Sequence, residues 1–117
     1  MRPGEIYLAQ FPFGDMPGMK LRPVLLLTGT LGSVPEILVY FFYRSGPPLP
    51  SDLILDPSQP EFKSTHLKTK SVLRLRKLAT IHYSSLARSL GRLEAASLAA
   101  ISTRLEQLLG LSKPPAR

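Results

Sequence analysis

Arg22, Arg74 and Arg76 are the residues whose types and spacing first suggest chemistry. Arg22 lies in KLRPVLLLT, Lys20–Thr28, two positions before the apolar run Val24–Leu27. Pro23 holds its own φ at about −65° and pushes the preceding residue into an extended conformation. The guanidinium of Arg22 is therefore presented at the mouth of a strand, where it can bind an anion. An ordinary solvated strand-end arginine has the same pattern. In Ser71–Arg76, two-residue alternation sets Leu73 and Leu75 on one side and Val72, Arg74 and Arg76 on the other. Two guanidiniums about 7 Å apart on one sheet face match neighbouring phosphates and repel each other without an anion. A solvated outer face is the alternative reading of that pair.

The charge distribution points the same way. Residues 1–60 carry four Lys/Arg against five Asp/Glu, whereas residues 61–117 carry eleven against three. Six of those eleven fall between Lys63 and Lys77. A one-sided basic load suits a polyanion such as nucleic acid, although a basic, soluble protein without such a partner has the same composition. Hydrophobic residues make up 44% and charged residues 20% of the 117, which fits one globular domain and argues against disorder. The absence of cysteine excludes a disulfide scaffold, a thiolate metal site and a cysteine nucleophile. No signal-peptide core is visible at MRPGEIYLAQ, and no apolar run approaches the ~20 residues that span a bilayer. A soluble, non-exported, cytoplasmic chain with no membrane partner is expected.

These side chains must be positioned by short strands. Gly4–Phe11 reads as a first strand, Leu21–Thr28 as a second and Glu36–Tyr43 as a third, the last dense in β-branched and aromatic residues. Pro12–Met19 is a breaker-rich loop whose single charge is Asp15. Val24–Leu27, unbroken and apolar, has the pattern of a strand buried on both faces. Arg44 and Ser45 stand at the exit of the third strand, before the proline-rich Gly46–Ser51. Asp52–Leu55 is a short strand and Asp56–Lys63 a polar loop. Ser71–Leu75 and Ala79–His82 are two further strands. After His82 the period changes to 3.6: a short helix over Ser84–Ser89 is ended by Gly91. A main helix then runs over Glu94–Leu109 with the core stripe Leu98, Ile101, Leu105 and Leu108. Gly110 at C′ stops it. The expected architecture is mainly β (α+β), a small, partly open barrel with a C-terminal helix packed against it. Residues 1–111 are expected to form a single domain and 112–117 a disordered tail.

Several chemistries find no support. There is no phosphate loop, GxGxxG or HExxH, and His66 and His82 are sixteen residues apart without a neighbouring carboxylate cluster, so no metal site is expected. There is no GxSxG elbow and no strand signature of the RRM domain. His82, beside Tyr83 at a strand end, reads as a surface or capping residue.

The stretch GEIYLAQFPFGDMPGMKLRPVLLLT resembles the N-terminus of the MazF/PemK/Kid toxins of type II toxin–antitoxin systems. There, a strand, a loop and a strand opening with Arg-Pro follow in this order. KSVLRLRKLATIH resembles the family's late strand pair, and GRLEAASLAAISTRLEQLLGL its closing helix. The likeness covers Pro3 to Leu111. It implies an SH3-like small barrel forming a homodimer. It also implies an endoribonuclease, independent of metal and cofactor, that acts on single-stranded RNA and is held inactive by a cognate antitoxin. The implied chemistry is attack of a ribose 2′-hydroxyl on the adjacent phosphate, leaving a 2′,3′-cyclic phosphate.

Carried over by position, the resemblance implies that Arg22 is tied to catalysis. Arg74 falls where one branch carries a catalytic strand arginine, and Asp15 lies in the loop that gates the groove. Arginine is a poor general base because its pKa exceeds about 12. Arg22 and Arg74 are therefore assigned to the developing phosphorane charge, and Asp15 to orienting a group or accepting a proton. Lys20, Tyr43, Ser45 and Arg76 are assigned to substrate binding. Tyr43 stands where many members have a threonine, with Ser45 as a stand-in, and Arg76 stands where the branch with the strand arginine has an aspartate. By the family's pattern the acid–base set is incomplete. A catalytically lapsed relative, binding nucleic acid or an antitoxin peptide, is the alternative. A toxin aimed at a topoisomerase, as in the CcdB family, is a third reading, and the basic second half argues against it.

Overall fold

The computed structural model describes residues 1–12, 19–29, 32–44 and 47–111. The residues 112–117 expected to form a tail lie outside them. Among the described residues six strands, β1 (Glu5–Pro12), β2 (Met19–Leu26), β3 (Glu36–Tyr43), β4 (Leu53–Leu55), β5 (Ser71–His82) and β6 (Leu86–Arg92), precede one α-helix, α1 (Ala95–Leu108). They form one sheet in the order β4-β5-β3-β2-β1-β6, every pairing antiparallel. The sheet curls into a half-barrel with α1 against it, as the mainly-β expectation required.

Burial explains why β2 sits near the middle. Val24, Leu25 and Leu26 are all fully buried, yet alternation points them to opposite faces. Leu25 joins one core with Ile6, Tyr40, Phe42, Leu73 and Ile101. Val24 and Leu26 join a second with Ala9, Ile37, Val39 and Phe41. The unbroken apolar run therefore serves two cores, the condition that selects such runs for central strands. The first core is covered by α1, where Ile101 is buried and Leu98, Leu105 and Leu108 pack beside it. The helix ends as expected: Gly110 takes φ +71°, and its N–H and that of Leu111 donate to the carbonyls of Gln107 and Glu106.

The structure corrects three expectations. Ser71–His82 is one twelve-residue strand rather than two short ones. Its continuity was hidden by a bulge: Phe42 faces Leu73 and Tyr40 faces Leu78, so one residue of β3 opposes four of β5. The short helix expected over Ser84–Ser89 is instead a 3-10 turn, Tyr83–Ser85, followed by β6. Gly91 lies within that strand rather than ending a helix. Half of the loop expected over Asp56–Lys63 belongs to a 3-10 helix, Pro60–Thr65. That helix packs against the edge strand β6, its Ser64 and Thr65 carbonyls lying against Gly91. His82 is the capping residue it was expected to be, its ring nitrogen accepting from the Ser84 N–H at 3.1 Å.

Candidate functional site: a cationic sheet end

Antiparallel order brings the C-terminal ends of β1 and β3 beside the N-terminal ends of β2 and β5. The face of the sheet follows from register. Ala9 pairs with Arg22 and Val24 with Phe41, and Ala9, Val24 and Phe41 belong to the second core. Lys20 and Arg22 continue the parity of Val24, and Tyr43 that of Phe41. Both Lys20 and Arg22 are exposed. On the next strand over, Tyr43 pairs with Val72, two residues before Arg74. Lys20, Arg22 and Tyr43 thus share one face at one end of the sheet, where their core runs out into solvent.

Tyr43 is the centre of this group. The Arg74 Cζ lies 5.6 Å from its ring centroid, and the Lys77 Nζ lies 5.4 Å from it. Both distances are within the range of cation–π attraction. Lys77 was not among the expected site residues, because it fell between two strands that are in fact one. The bulge also has its own support. Tyr40 is fully buried, and its hydroxyl donates to the Leu75 carbonyl at 2.9 Å. That bond supplies a donor to a carbonyl in the stretch that the ladder skips. Burial pushes the Tyr40 phenol above its ordinary value of 10.0.

Arg74 and Arg76 do not form the bare cation pair that alternation suggested. Arg74, only 17% exposed, meets the buried Asp52 carboxylate at 3.2 Å. The β4–β5 register pairs Leu53 with Leu73, which sets Asp52 abreast of Arg74. The same carboxylate oxygen accepts from the Leu49 N–H at 2.7 Å, and Arg104 of α1 donates to the Asp52 carbonyl. Arg74 is thereby clamped between a carboxylate and an aromatic ring. Arg76 lies with Arg104, Leu49 and Pro50 around a depression at the end of the helix. Asp52 was missed as its partner because the strand pairing that joins them spans 22 positions. Asp15 and Ser45, also assigned to the site, lie outside the described residues. Among the described residues no three His, Asp or Glu side chains gather as a metal-holding group, and no helix is long and apolar enough to cross a membrane.

An open antiparallel half-barrel closed by one C-terminal helix is an architecture shared with solved bacterial toxins. The toxin MazF-mt6 of Mycobacterium tuberculosis superposes with a TM-score of 0.71 at 23% identity, covering 93% of this chain and 99% of that one. A MazE-MazF structure from Deinococcus radiodurans gives a TM-score of 0.74 at 22% identity, covering 96% and 98%. An endoribonuclease in complex with its cognate antitoxin, from a mycobacterial species, gives 0.71 at 18% identity, covering 97% and 99%. Among curated proteins, no sequence matched. The family model for PemK-like, MazF-like toxins of type II toxin–antitoxin systems matches residues 2–109, and the chain belongs to that family.

Proposed function

We propose that this chain is an endoribonuclease of toxin type, cutting single-stranded RNA in the cytoplasm as a homodimer and neutralised by a cognate antitoxin. Family membership supports the reading. So do two structural neighbours, one an endoribonuclease in complex with its cognate antitoxin and one a MazE-MazF structure. The observation that carries it is the gathering of Lys20, Arg22, Tyr43, Arg74 and Lys77 at one end of the sheet.

The chemistry is an internal displacement. A ribose 2′-oxygen attacks the adjacent phosphorus, the bond to the 5′-oxygen breaks, and the products are a 2′,3′-cyclic phosphate and a free 5′-hydroxyl. The step needs a proton acceptor at the 2′-oxygen, a proton donor at the 5′-oxygen and positive charge beside the phosphorane. Arg22, exposed and held by Pro23, is assigned the phosphorane charge and donation to the leaving oxygen. Arg74 adds a positioned donor whose charge Asp52 partly offsets, so it ranks below Arg22. Asp15 is assigned the proton from the 2′-hydroxyl. Lys20, Ser45 and Arg76 are assigned to the phosphates. Tyr43 is assigned to a base, by stacking or hydrogen bonding.

End-labelled RNA incubated with the purified protein in EDTA tests the assignment. Fragments ending in a cyclic phosphate are expected, and Arg22→Ala lowers their rate of formation by about 100-fold or more, the scale of losing one oxyanion donor. No cleavage, or cleavage that Arg22→Ala leaves unchanged, sinks it. Salt-sensitive RNA binding without any product selects the catalytically lapsed module instead, a reading that the Asp52–Arg74 pair favours by partly offsetting the charge of one of the two arginines.

A further inference from the structure

A second concavity opens on the other side of the sheet. It is lined by Leu21 and Pro23 of β2, whose parity is opposite to that of Arg22 and Val24. Its floor is apolar, formed by Leu8, Phe42, Leu67 and Leu90, and its volume is about 280 Å³. Around that floor stand Arg44, His66, Lys68 and Arg88, and among the described residues no carboxylate lines it. Arg44, Lys68 and Arg88 form no ion pair with a described residue. This is a different group of cations from the one around Tyr43, reached from the opposite face.

The rim carries a conformational mark as well. His66 is the one non-glycine residue with positive φ among the described residues, at φ 55° and ψ 22°. That conformation costs a residue of this kind on the order of 1–3 kcal/mol and persists where surrounding structure imposes it. The buried Thr65 beside it is such a support. Its hydroxyl donates to the Phe62 carbonyl at 2.6 Å and accepts from the Leu67 N–H at 3.1 Å. The backbone turn therefore sets the imidazole at the mouth of the pocket, next to Lys68.

We infer that this pocket binds a nucleoside phosphate, either free or as one nucleotide of an RNA strand. Three cations with no carboxylate among the described lining residues call for an anion. The apolar floor calls for a planar or apolar body on the same ligand. The Thr69 hydroxyl at the rim offers the neutral donor and acceptor that a base edge needs. The volume lies at the small end of ligand pockets and suits one nucleotide rather than a folded partner. The assignment does not rest on RNA cleavage, since binding of a mononucleotide involves no scissile bond.

Calorimetric titration with adenosine and uridine 5′-monophosphates tests it, carried out in an Arg22→Ala/Lys77→Ala background that weakens phosphate binding at the opposite face, so that two charge reversals assign what remains to the pocket. Saturation with a dissociation constant below about 1 mM is expected, with the nucleosides and inorganic phosphate each binding at least tenfold more weakly. Arg88→Glu and Lys68→Glu, both exposed positions, each weaken the monophosphate at least tenfold while circular dichroism shows the fold intact. A dinucleoside phosphate that binds as well as the monoester identifies an RNA strand as the source, and one that does not identifies a free nucleotide. A monophosphate that binds no better than inorganic phosphate overturns the assignment. Binding that neither charge reversal weakens also overturns it.

Discussion

At the scale of single residues, the Asp52–Arg74 pair ties a buried carboxylate to an arginine that also lies over the Tyr43 ring. Asp52 is buried with Arg74 as its ion-pair partner, so removing either one leaves the other uncompensated. Asp52→Ala is expected to cost about 3 kcal/mol in urea denaturation, the scale measured when buried pairs are broken. The double variant with Arg74→Ala should cost less than the two single losses added together, because no buried charge is left alone. Activity at this position is better probed with Arg74→Lys, which keeps the charge. Tyr40 offers a pH signature. Its folded phenol holds its proton to higher pH than the unfolded one, so its contribution to stability is intact below about pH 10. That contribution falls as the pH rises through the folded value. The phenolate absorbance missing from Tyr40→Phe should lie at the alkaline end of the wild-type titration. The variant should also lose about 1–3 kcal/mol, since the Leu75 carbonyl loses its donor.

At the scale of elements, the bulge in β5 and the seam beside β6 decide where the cations go. A regular β5 would place Lys77 by strict alternation; four residues opposing one place it instead over the Tyr43 ring. The seam depends on Gly91. A Cβ there would meet the Thr65 and Ser64 carbonyl oxygens at 2.4 and 2.5 Å, and these are backbone atoms that cannot turn aside. Gly91→Ala is therefore expected to push the 3-10 helix off β6. Chemical denaturation should show a loss of about 1–3 kcal/mol, the usual range for overpacking. Faster amide exchange should appear around Thr65 and Leu67, with the core of β2 unaffected.

At the scale of the whole molecule, the positive charge is parted between the two faces of the sheet. Arg22, Arg74 and Lys77 lie toward one face, and Arg44, Lys68 and Arg88 toward the other. RNA that engages four of these charges is expected to bind about 50-fold more weakly at roughly 200 mM than at roughly 50 mM salt, from a slope of about 0.7 per phosphate on single strands. A filter-binding series over salt checks this. A slope near zero would mean that the net charge of +7 has no part in RNA binding.

Local patterning was enough for β2, β3 and α1. The unbroken run at Val24–Leu27, the dense apolar strand Glu36–Tyr43 and the 3-4-3 stripe closed by Gly110 each state their burial within a few consecutive residues. The same local geometry made the extended, exposed position of Arg22 legible, since Pro23 constrains the residue before it. β6 was not legible, because LARSLGR lies at a sheet edge where only Leu86, Leu90 and Gly91 are half-buried. It has neither a clean alternation nor a clean helical stripe. The bulge in β5, the Asp52 carboxylate beside Arg74 and the two cations over Tyr43 arise from pairings between strands far apart in sequence. The sequence by itself determined the core strands, the helix and the presented arginine. Only the tertiary structure decided which of the many cations meet, because cross-strand register is set by global packing rather than by neighbouring residues.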